Sequence, residues 1–457
     1  MSGLILSYYG DDFTGSTDVM ESLSFAGVKT VLFMAPPAPE QIARFPGVKA
    51  VGVAGRTRSM APDDMVHELR PVYEAFKGLN TPIVHYKTCS TFDSAPDVGS
   101  IGQAIDLGHD VFGCPFVPLV VGAPVLNRYC AFGNLFARSG LDSDLFRLDR
   151  HPTMKQHPIT PMTEADLRLH LAKQTDKAIG LLDLLALGLD DEGLDRAFDS
   201  VMDARPDVVL FDTVYDVHLP KIGRLIWQHA QAGALFVAGS SGAEYALVAH
   251  WRDVGLIPEA PVIPTVDRVD QIVIVSGSCS PVTANQIDYA VQNGFVEVAL
   301  DPVSFADESM VEGAISAGIK AGLEALASGG SVILHTGRGP NDPRIAKTTD
   351  YLKAQGYSDL DIKLRSGEIF GKALGRILKG ILAQSKVKRA ATAGGDTSYY
   401  VAKALGIEAL EVVAPTAPGS PMCRVYGVDL DGVEMTFKGG QVGKVDFFVN
   451  VKTGQFL

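Results

Sequence analysis

Cysteine is scarce and scattered. The five residues, Cys89, Cys114, Cys130, Cys279 and Cys423, are odd in number and form no Cys-x-x-Cys pair. That argues against a disulfide or zinc framework and for reduced thiols in a cytoplasmic protein. Positive charge is in deficit, with 40 Lys and Arg against 53 Asp and Glu and a net charge of −13. Broad binding to nucleic acid or to an anionic membrane is therefore disfavoured, and any anionic ligand must be held by local donors. No run of 18 apolar residues occurs, and no basic N-terminal segment leads into a long apolar stretch. Neither a membrane span nor an export signal is predicted. A GxxxxGK[ST] loop, a GxGxxG opening the first βαβ unit and a GxSxG elbow are all missing, which counts against common nucleotide-binding and serine-hydrolase arrangements.

What is present is a regular alternation. Among 457 residues, 46% are hydrophobic and 20% charged, enough for a full core in two or three domains. Apolar β-rich runs ("TVLFMA", "VKAVGVAG", "PIVHYKT", "FVPLVVGAP", "DVVLFDT", "ALFVAGSSG") alternate with helical patterns up to about residue 253, the grammar of βαβ units. Residues 254–270 carry three prolines and no trustworthy period, and read as a linker. The alternation then restarts over 271–457, with helices predicted at Pro281 to Gln292, Met310 to Ala327 and Ile369 to Gln384. The expected fold is α/β, two α/β domains with mostly parallel sheets and a small-molecule cleft between them.

In the second half four turns rich in Gly, Ser and Thr follow predicted strands: "VSGSCSPVT" (Val275 to Thr283), "HTGRGPND" (His335 to Asp342), "AGGDTS" (Ala393 to Ser398) and "APGSP" (Ala417 to Pro421). Glycine admits a phosphate to backbone N–H groups, hydroxyls add donors, and a following helix N-terminus adds partial positive charge. Gly394, Gly395, Asp396 and Thr397, opening a helical run, form the best phosphate candidate. Lys438 in "FKGGQVG", followed by Gly439, brings a cation to a polyphosphate, unless it is a surface lysine beside a hairpin turn.

In the first half, "SYYGDDFTGSTD" sets Asp11 and Asp12 side by side at the end of a predicted buried strand. Other strand ends supply Arg56 and Arg58, then Lys87, Ser90 and Thr91, then Asp212, while "APVLNRYCAFGN" adds Asn127, Arg128 and Asn134. A carboxylate near a second one is suited to orienting or deprotonating a hydroxyl, and arginine is the natural fork for a carboxylate. The ordinary alternatives are helix capping for one Asp and ion pairing for the arginines. His151 and His157 lack metal-ligand spacing and read as loop residues, and no metal ligands are assigned.

These motifs, in this order, resemble the four-carbon acid sugar kinases. The resemblance rests on "DDFTGSTD", "SGSCSPVTANQ", "AGGDTS", "APGSP" and "FKGGQVG" and spans almost the whole chain. It implies an N-terminal acid-sugar domain (1–253), a C-terminal ATP domain (271–457) and Mg²⁺-assisted transfer from ATP to a primary hydroxyl of a small sugar acid at the domain interface. It implies that Asp12, with Asp11, contacts the substrate and that Arg56 holds its carboxylate. Asp12 then accepts or orients the hydroxyl proton and Lys87 joins Arg56 in fixing the acid, with Asp12, Asp11 and Lys87 the catalytic candidates and Arg58, Ser90 and Thr91 further substrate-side candidates from the strand ends. It also implies that Ser278, the Gly394 to Thr397 turn and Gly419 cradle ATP, joined by Lys438 and Gly439.

Where typical members carry K-x-D-S-T-x-R-G-N, this chain has "KTCSTFDSAP", Lys87 to Pro96, which points to a different acid sugar. In this it is similar to the 3-oxo-isoapionate kinase subgroup. Kinases of 3-oxo-tetronate, threonate or erythronate, or a non-catalytic acid-sugar-binding protein, are the alternatives. The composition is compatible with a homo-oligomer.

Overall fold

The central strands of the first unit are short β-branched and aromatic runs buried on both faces, the signature of a parallel sheet covered by helices. In this computed structural model, which describes residues 3–138, 144–157, 159–259, 264–430 and 432–456, the chain divides into two units, Met1–Pro261 and Val262–Leu457. The division falls inside residues 254–270.

In the first unit, parallel strands run in the order Thr30–Phe33, Ala50–Ala54, Leu6–Gly10, Ile83–Lys87, Leu235–Gly239, Val117–Val120, Val208–Phe211 and Ile179–Leu182. The chain leaves Leu6–Gly10 toward one edge and returns to its other side with Ile83–Lys87. Strand order therefore reverses between these two strands, where open α/β sheets bind ligands beyond the C-terminal ends. Two features were not foreseen. The edge strand Ile179–Leu182 is short and only partly buried. A three-stranded antiparallel sheet of Arg128–Ala131, Asn134–Arg138 and Leu145–Arg147 grows out of "APVLNRYCAFGN".

In the second unit the order is Phe295–Ala299, Ser331–His335, Val273–Ser276, Arg389–Ala393 and Glu434–Lys438, all parallel, then Ser420–Gly427 and Ile407–Ala417, antiparallel. Its order reverses at Val273–Ser276 and Arg389–Ala393. The core gathers Ile272, Ile274, Ile287, Ile333, Ala391, Met422 and Phe448. The helix Pro281–Gln292 lies where predicted, started by Pro281 and by Ser280 Oγ accepting the Val282 N–H. Val311–Ala327 begins one residue later than predicted.

Two expectations need correcting. The helix expected from Ile369 begins at Asp359, where Ser358 and Asp361 form a capping box ahead of a stretch too polar to show an apolar period. "APGSP" is a β-hairpin turn between Ile407–Ala417 and Ser420–Gly427, so a strand follows Gly419 and not a helix N-terminus. Among the described residues no helix is long and apolar enough to cross a membrane.

Candidate functional site

The adjacent acids at the first reversal point do not face each other unshielded. Asp11 follows Gly10 and is buried, and Asp12 caps the helix Phe13–Phe25. Arg58, reaching over from the turn after Ala50–Ala54, joins them. Its Nε and Nη2 donate to Asp11 Oδ2 and Oδ1 at 3.1 and 2.7 Å, and its Nη1 donates to Asp12 Oδ2 at 3.0 Å. Asp12 also accepts from Gly15 N–H at 2.7 Å and from the Thr14 hydroxyl at 2.9 Å.

The two carboxyls separate in character. Burial pushes Asp11 up, and the Arg58 guanidinium only partly offsets it. For Asp12 burial pulls the same way, but Arg58, Lys87, the Thr14 hydroxyl and the Gly15 amide together hold the carboxyl below its usual range.

Lys87 ends the neighbouring strand, buried, with Nζ 3.5 Å from Asp18 Oδ2. Burial disfavours its charge, yet Asp18, Asp11 and Asp12 raise its pKa, so it stays an ammonium. A methyl built on Gly15 would sit 3.2 Å from Lys87 Nζ and 2.5 Å from Asp12 Oδ1, which sets the ammonium over the cap turn. Beyond it, Thr91 Oγ1 donates to Asp93 Oδ1 at 2.5 Å and lies 3.1 Å from Cys89 Sγ, while Ser90 is half-buried. Arg56 is exposed and donates its backbone N–H to Tyr9 Oη at 3.3 Å. Asp212 proves to be a scaffold: fully buried, it accepts the N–H groups of Phe132, Gly133 and Leu184 and so fixes the antiparallel hairpin turn. His151 likewise accepts the N–H groups of Thr153 and Met154 through Nδ1.

At the second reversal point the turns after three neighbouring strands knit together. Ser278 Oγ donates to Thr283 Oγ1 at 3.1 Å, Thr283 Oγ1 donates to the Gly440 carbonyl at 2.8 Å, and Lys438 Nζ donates to Thr283 Oγ1 at 2.9 Å. Gly394 donates its N–H to the Lys438 carbonyl at 2.9 Å. Gly394 has φ +117°, and a Cβ there would come within 2.8 Å of Thr397 Oγ1, so glycine is required. Gly439 and Gly440 continue the chain past Lys438, and Gly419 sits in the hairpin turn before Ser420–Gly427, the strand paired with Glu434–Lys438, with Thr436 Oγ1 donating to the Ser420 carbonyl at 3.0 Å.

Lys438 is not a surface lysine. It is fully buried, its ammonium lies 5.9 and 5.8 Å from the ring centroids of Phe447 and Phe448, and burial lowers its pKa to about 7.

Beside these turns lies a cavity of about 320 Å³, within the range of small-molecule sites. Gly277, Thr336, Gly394, Gly395, Asp396 and Thr397 form its polar end, and Pro302, Ile345, Ile362 and Phe370 its apolar wall. Sequence reasoning missed that wall. Its signal is the spacing Gly367, Gly371, Gly375 on the helix Asp359–Gln384. A Cβ at these positions would lie 2.6 Å from Asp396 Cβ, 2.7 Å from Tyr400 Cβ and 2.6 Å from Ala404 Cβ, so the helix backbone packs directly on the helix Gly395–Leu405.

Residues 6–247 match the model of a sugar-binding N-terminal domain, and residues 273–448 that of a nucleotide-binding C-terminal domain. The chain belongs to the four-carbon acid sugar kinase family. Within this family it is 45% identical over 458 residues to a 3-oxo-isoapionate kinase of Paraburkholderia graminis, covering 99% of this chain and 95% of that protein. It is 28% identical over 445 residues to a 3-oxo-tetronate kinase of Pseudomonas savastanoi pv. phaseolicola, covering 97% and 96%. The fold of this acid sugar kinase family member is similar to solved structures from Salmonella typhimurium LT2 (TM-score 0.77, 23% identity, 98% of both chains) and Haemophilus influenzae (TM-score 0.69, 23% identity, 99% and 100%).

Proposed function

We propose that this chain transfers the γ-phosphoryl group of ATP to a primary hydroxyl of a small oxo sugar acid, with 3-oxo-isoapionate as the first candidate and 3-oxo-tetronates next. The higher identity to the 3-oxo-isoapionate kinase supports that order. The observation that carries the reading is Lys438, a buried cation with no carboxylate partner among the described residues, set where the Ser278, Gly394–Thr397 and Gly439–Gly440 turns meet. A buried, unneutralised ammonium surrounded by glycine turns suits a polyphosphate.

Phosphoryl transfer through a loose transition state asks mainly for in-line positioning and charge neutralisation. Asp12, kept ionised and held by Gly15, Thr14 and Arg58, orients the acceptor hydroxyl and takes its proton late in the transfer. Lys87 supplies positive charge beside it, Asp11 fixes Arg58, and Ser90 and Thr91 border the acid sugar. The substrate carboxylate needs a further cation, since the Arg58 fork is taken up by the two acids.

Among the described residues no group of three His, Cys, Asp or Glu side chains could hold a metal ion by itself. Asp396, the carboxylate that lines the cavity at the phosphate turn, is the residue that would help hold an Mg²⁺ ion arriving with ATP. Bound there, Mg²⁺ would neutralise charge on the transferred phosphoryl group.

The test is ADP release from Mg·ATP against 3-oxo-isoapionate, 3-oxo-tetronates, threonate and erythronate. Turnover of one compound establishes the kinase and its substrate. Silence across the panel, with the acid still raising the melting temperature, would favour a non-catalytic acid-sugar-binding protein instead.

A further inference from the structure

Among the described residues five arginines grip carboxylates through Nε and Nη2, Arg389 on the single oxygen Oε2 of Glu434 and four others side-on. Arg58 holds Asp11 at 3.1 and 2.7 Å, Arg147 holds Asp149 at 2.7 and 2.7 Å, Arg168 holds Asp166 at 3.0 and 2.7 Å, and Arg344 holds Asp342 at 3.0 and 2.6 Å. Among the described residues nothing meets that edge of Arg128. Its Nη1 donates to the carbonyls of Leu126, Asn127 and Arg138 at 3.2, 3.2 and 3.4 Å. Its Nε is sealed from solvent without a partner, and among the described residues the side chain makes neither an Nη2 hydrogen bond nor an ion pair.

The position is as telling as the vacancy of that edge. Arg128 opens the strand Arg128–Ala131 and exchanges backbone hydrogen bonds with Ala123, just past the C-terminal end of the parallel strand Val117–Val120. It lies within electrostatic reach of Asp93 and of the Cys89 thiol, on the loop that also carries Ser90 and Thr91 and that begins at Lys87. Burial weakens its hold on its proton more than those neighbours strengthen it, so the fold keeps a half-buried guanidinium here without neutralising it. The other local cations are placed differently: Arg58 is clamped by two acids, Lys87 faces Asp18, and Arg56 is exposed.

We propose that Arg128 anchors the carboxylate of the sugar acid through its guanidinium, with Nη2 making the contact. The inference rests on the acid-sugar reading above and transfers the anchoring role from Arg56 to Arg128. It makes the antiparallel hairpin, which Asp212 fixes by its turn, part of the substrate site. It also puts Arg128 within electrostatic reach of the loop where this chain departs from the usual family sequence, so the anchor and the altered loop would read the same end of the substrate.

A purely structural Arg128 would need only the Nη1 bonds that tie the hairpin. The test therefore compares the parent with Arg128→Lys, which keeps a cation able to reach those carbonyls but lacks the fork, and with Arg128→Met and Arg56→Lys. Each is assayed with the sugar acid and with its neutral amide. We expect Arg128→Lys to raise KM for the acid by about tenfold to a hundredfold, the worth of a hydrogen bond to a charged group. KM for ATP should stay within about twofold, and the preference for acid over amide should collapse. Retained preference in both Arg128 variants, or its loss in Arg56→Lys alone, would overturn the assignment. Thermal shift with the acid and no ATP separates this from the kinase reading: the acid should stabilise the parent and not Arg128→Lys, even in a chain that never releases ADP. Equal stabilisation of the two would sink the proposal.

Discussion

Lys438 Nζ donates to Thr283 Oγ1 at 2.9 Å, and among the described residues this is the one hydrogen bond of a fully buried ammonium. Two aromatic rings and a hydroxyl do not neutralise a charge, so the group sits near its titration point at about 7. A phosphate arriving beside it would pull the proton back.

Nucleotide binding should therefore take up a proton. Calorimetry of ADP binding in buffers of different ionisation heat should show little uptake at pH 6 and uptake approaching one proton at pH 8.5. Lys438→Met should abolish the difference and raise KM for ATP by about tenfold to a hundredfold. Without nucleotide the sign reverses for folding. A lysine whose folded pKa is depressed leaves the unfolded chain binding more protons between about 7 and ~10.4, so this residue makes stability rise with pH over that window.

Asp12→Asn keeps an oxygen for the Gly15 N–H and so preserves most of the helix cap. It should fold with a loss below ~1 kcal/mol, while kcat drops by about a hundredfold or more. A kcat within a few-fold of the parent would remove Asp12 from the transfer step. Because the folded pKa of Asp12 is depressed, its contribution to stability is present above the unfolded carboxylate value and fades as pH falls through the folded one.

Arg58→Gln leaves two neighbouring carboxylates without their shared cation. Denaturant titration at pH 7 should show a loss of about 3 kcal/mol, the lower end expected for stripping a buried ion pair of one partner. The loss should shrink as pH is lowered from 7 to 5, because burial favours the neutral Asp11 carboxyl and loss of the guanidinium favours it further. An equal loss at both pH values would mean that the pair was not repelling.

Gly394→Ala forces an L side chain into φ +117° and against Thr397 Oγ1. A stability loss of about 1–3 kcal/mol is expected, together with loss of ADP binding, while stabilisation by the sugar acid persists. Unchanged ADP affinity would exclude this turn from the phosphate site.

Much of the site was legible because a parallel sheet delivers its functional groups at strand ends, where sequence shows an apolar run stopping at a polar residue. Asp11, Arg58, Lys87 and Gly394 were singled out in that way and do stand at or just past strand ends, while Ser278 was named through the family resemblance. What escaped had another origin. The role of Arg58 as shared counter-ion joins residues 46 and 47 positions apart, which no local pattern reveals. The hairpin bearing Arg128 has short strands of mixed burial with no clean alternation. The burial of Lys438 was hidden by the glycines that follow it, which suggest an exposed turn. The first part of the helix Asp359–Gln384 is rich in charge, and its glycines argue against a helix until the partner they pack on is known.

Those glycines carry a further consequence. At Gly367, Gly371 and Gly375 the bare backbone of one helix rests on the Cβ atoms of Asp396, Tyr400 and Ala404 of the other, and the same helix supplies Ile362 and Phe370 to the cavity wall. The width of that slot is thus gauged by three missing carbon atoms. An alanine at Gly371 or Gly375 would act as a shim, lifting the wall from the phosphate turn by a fraction of an ångström and so grading the fit of the nucleotide without altering a residue that lines the cavity.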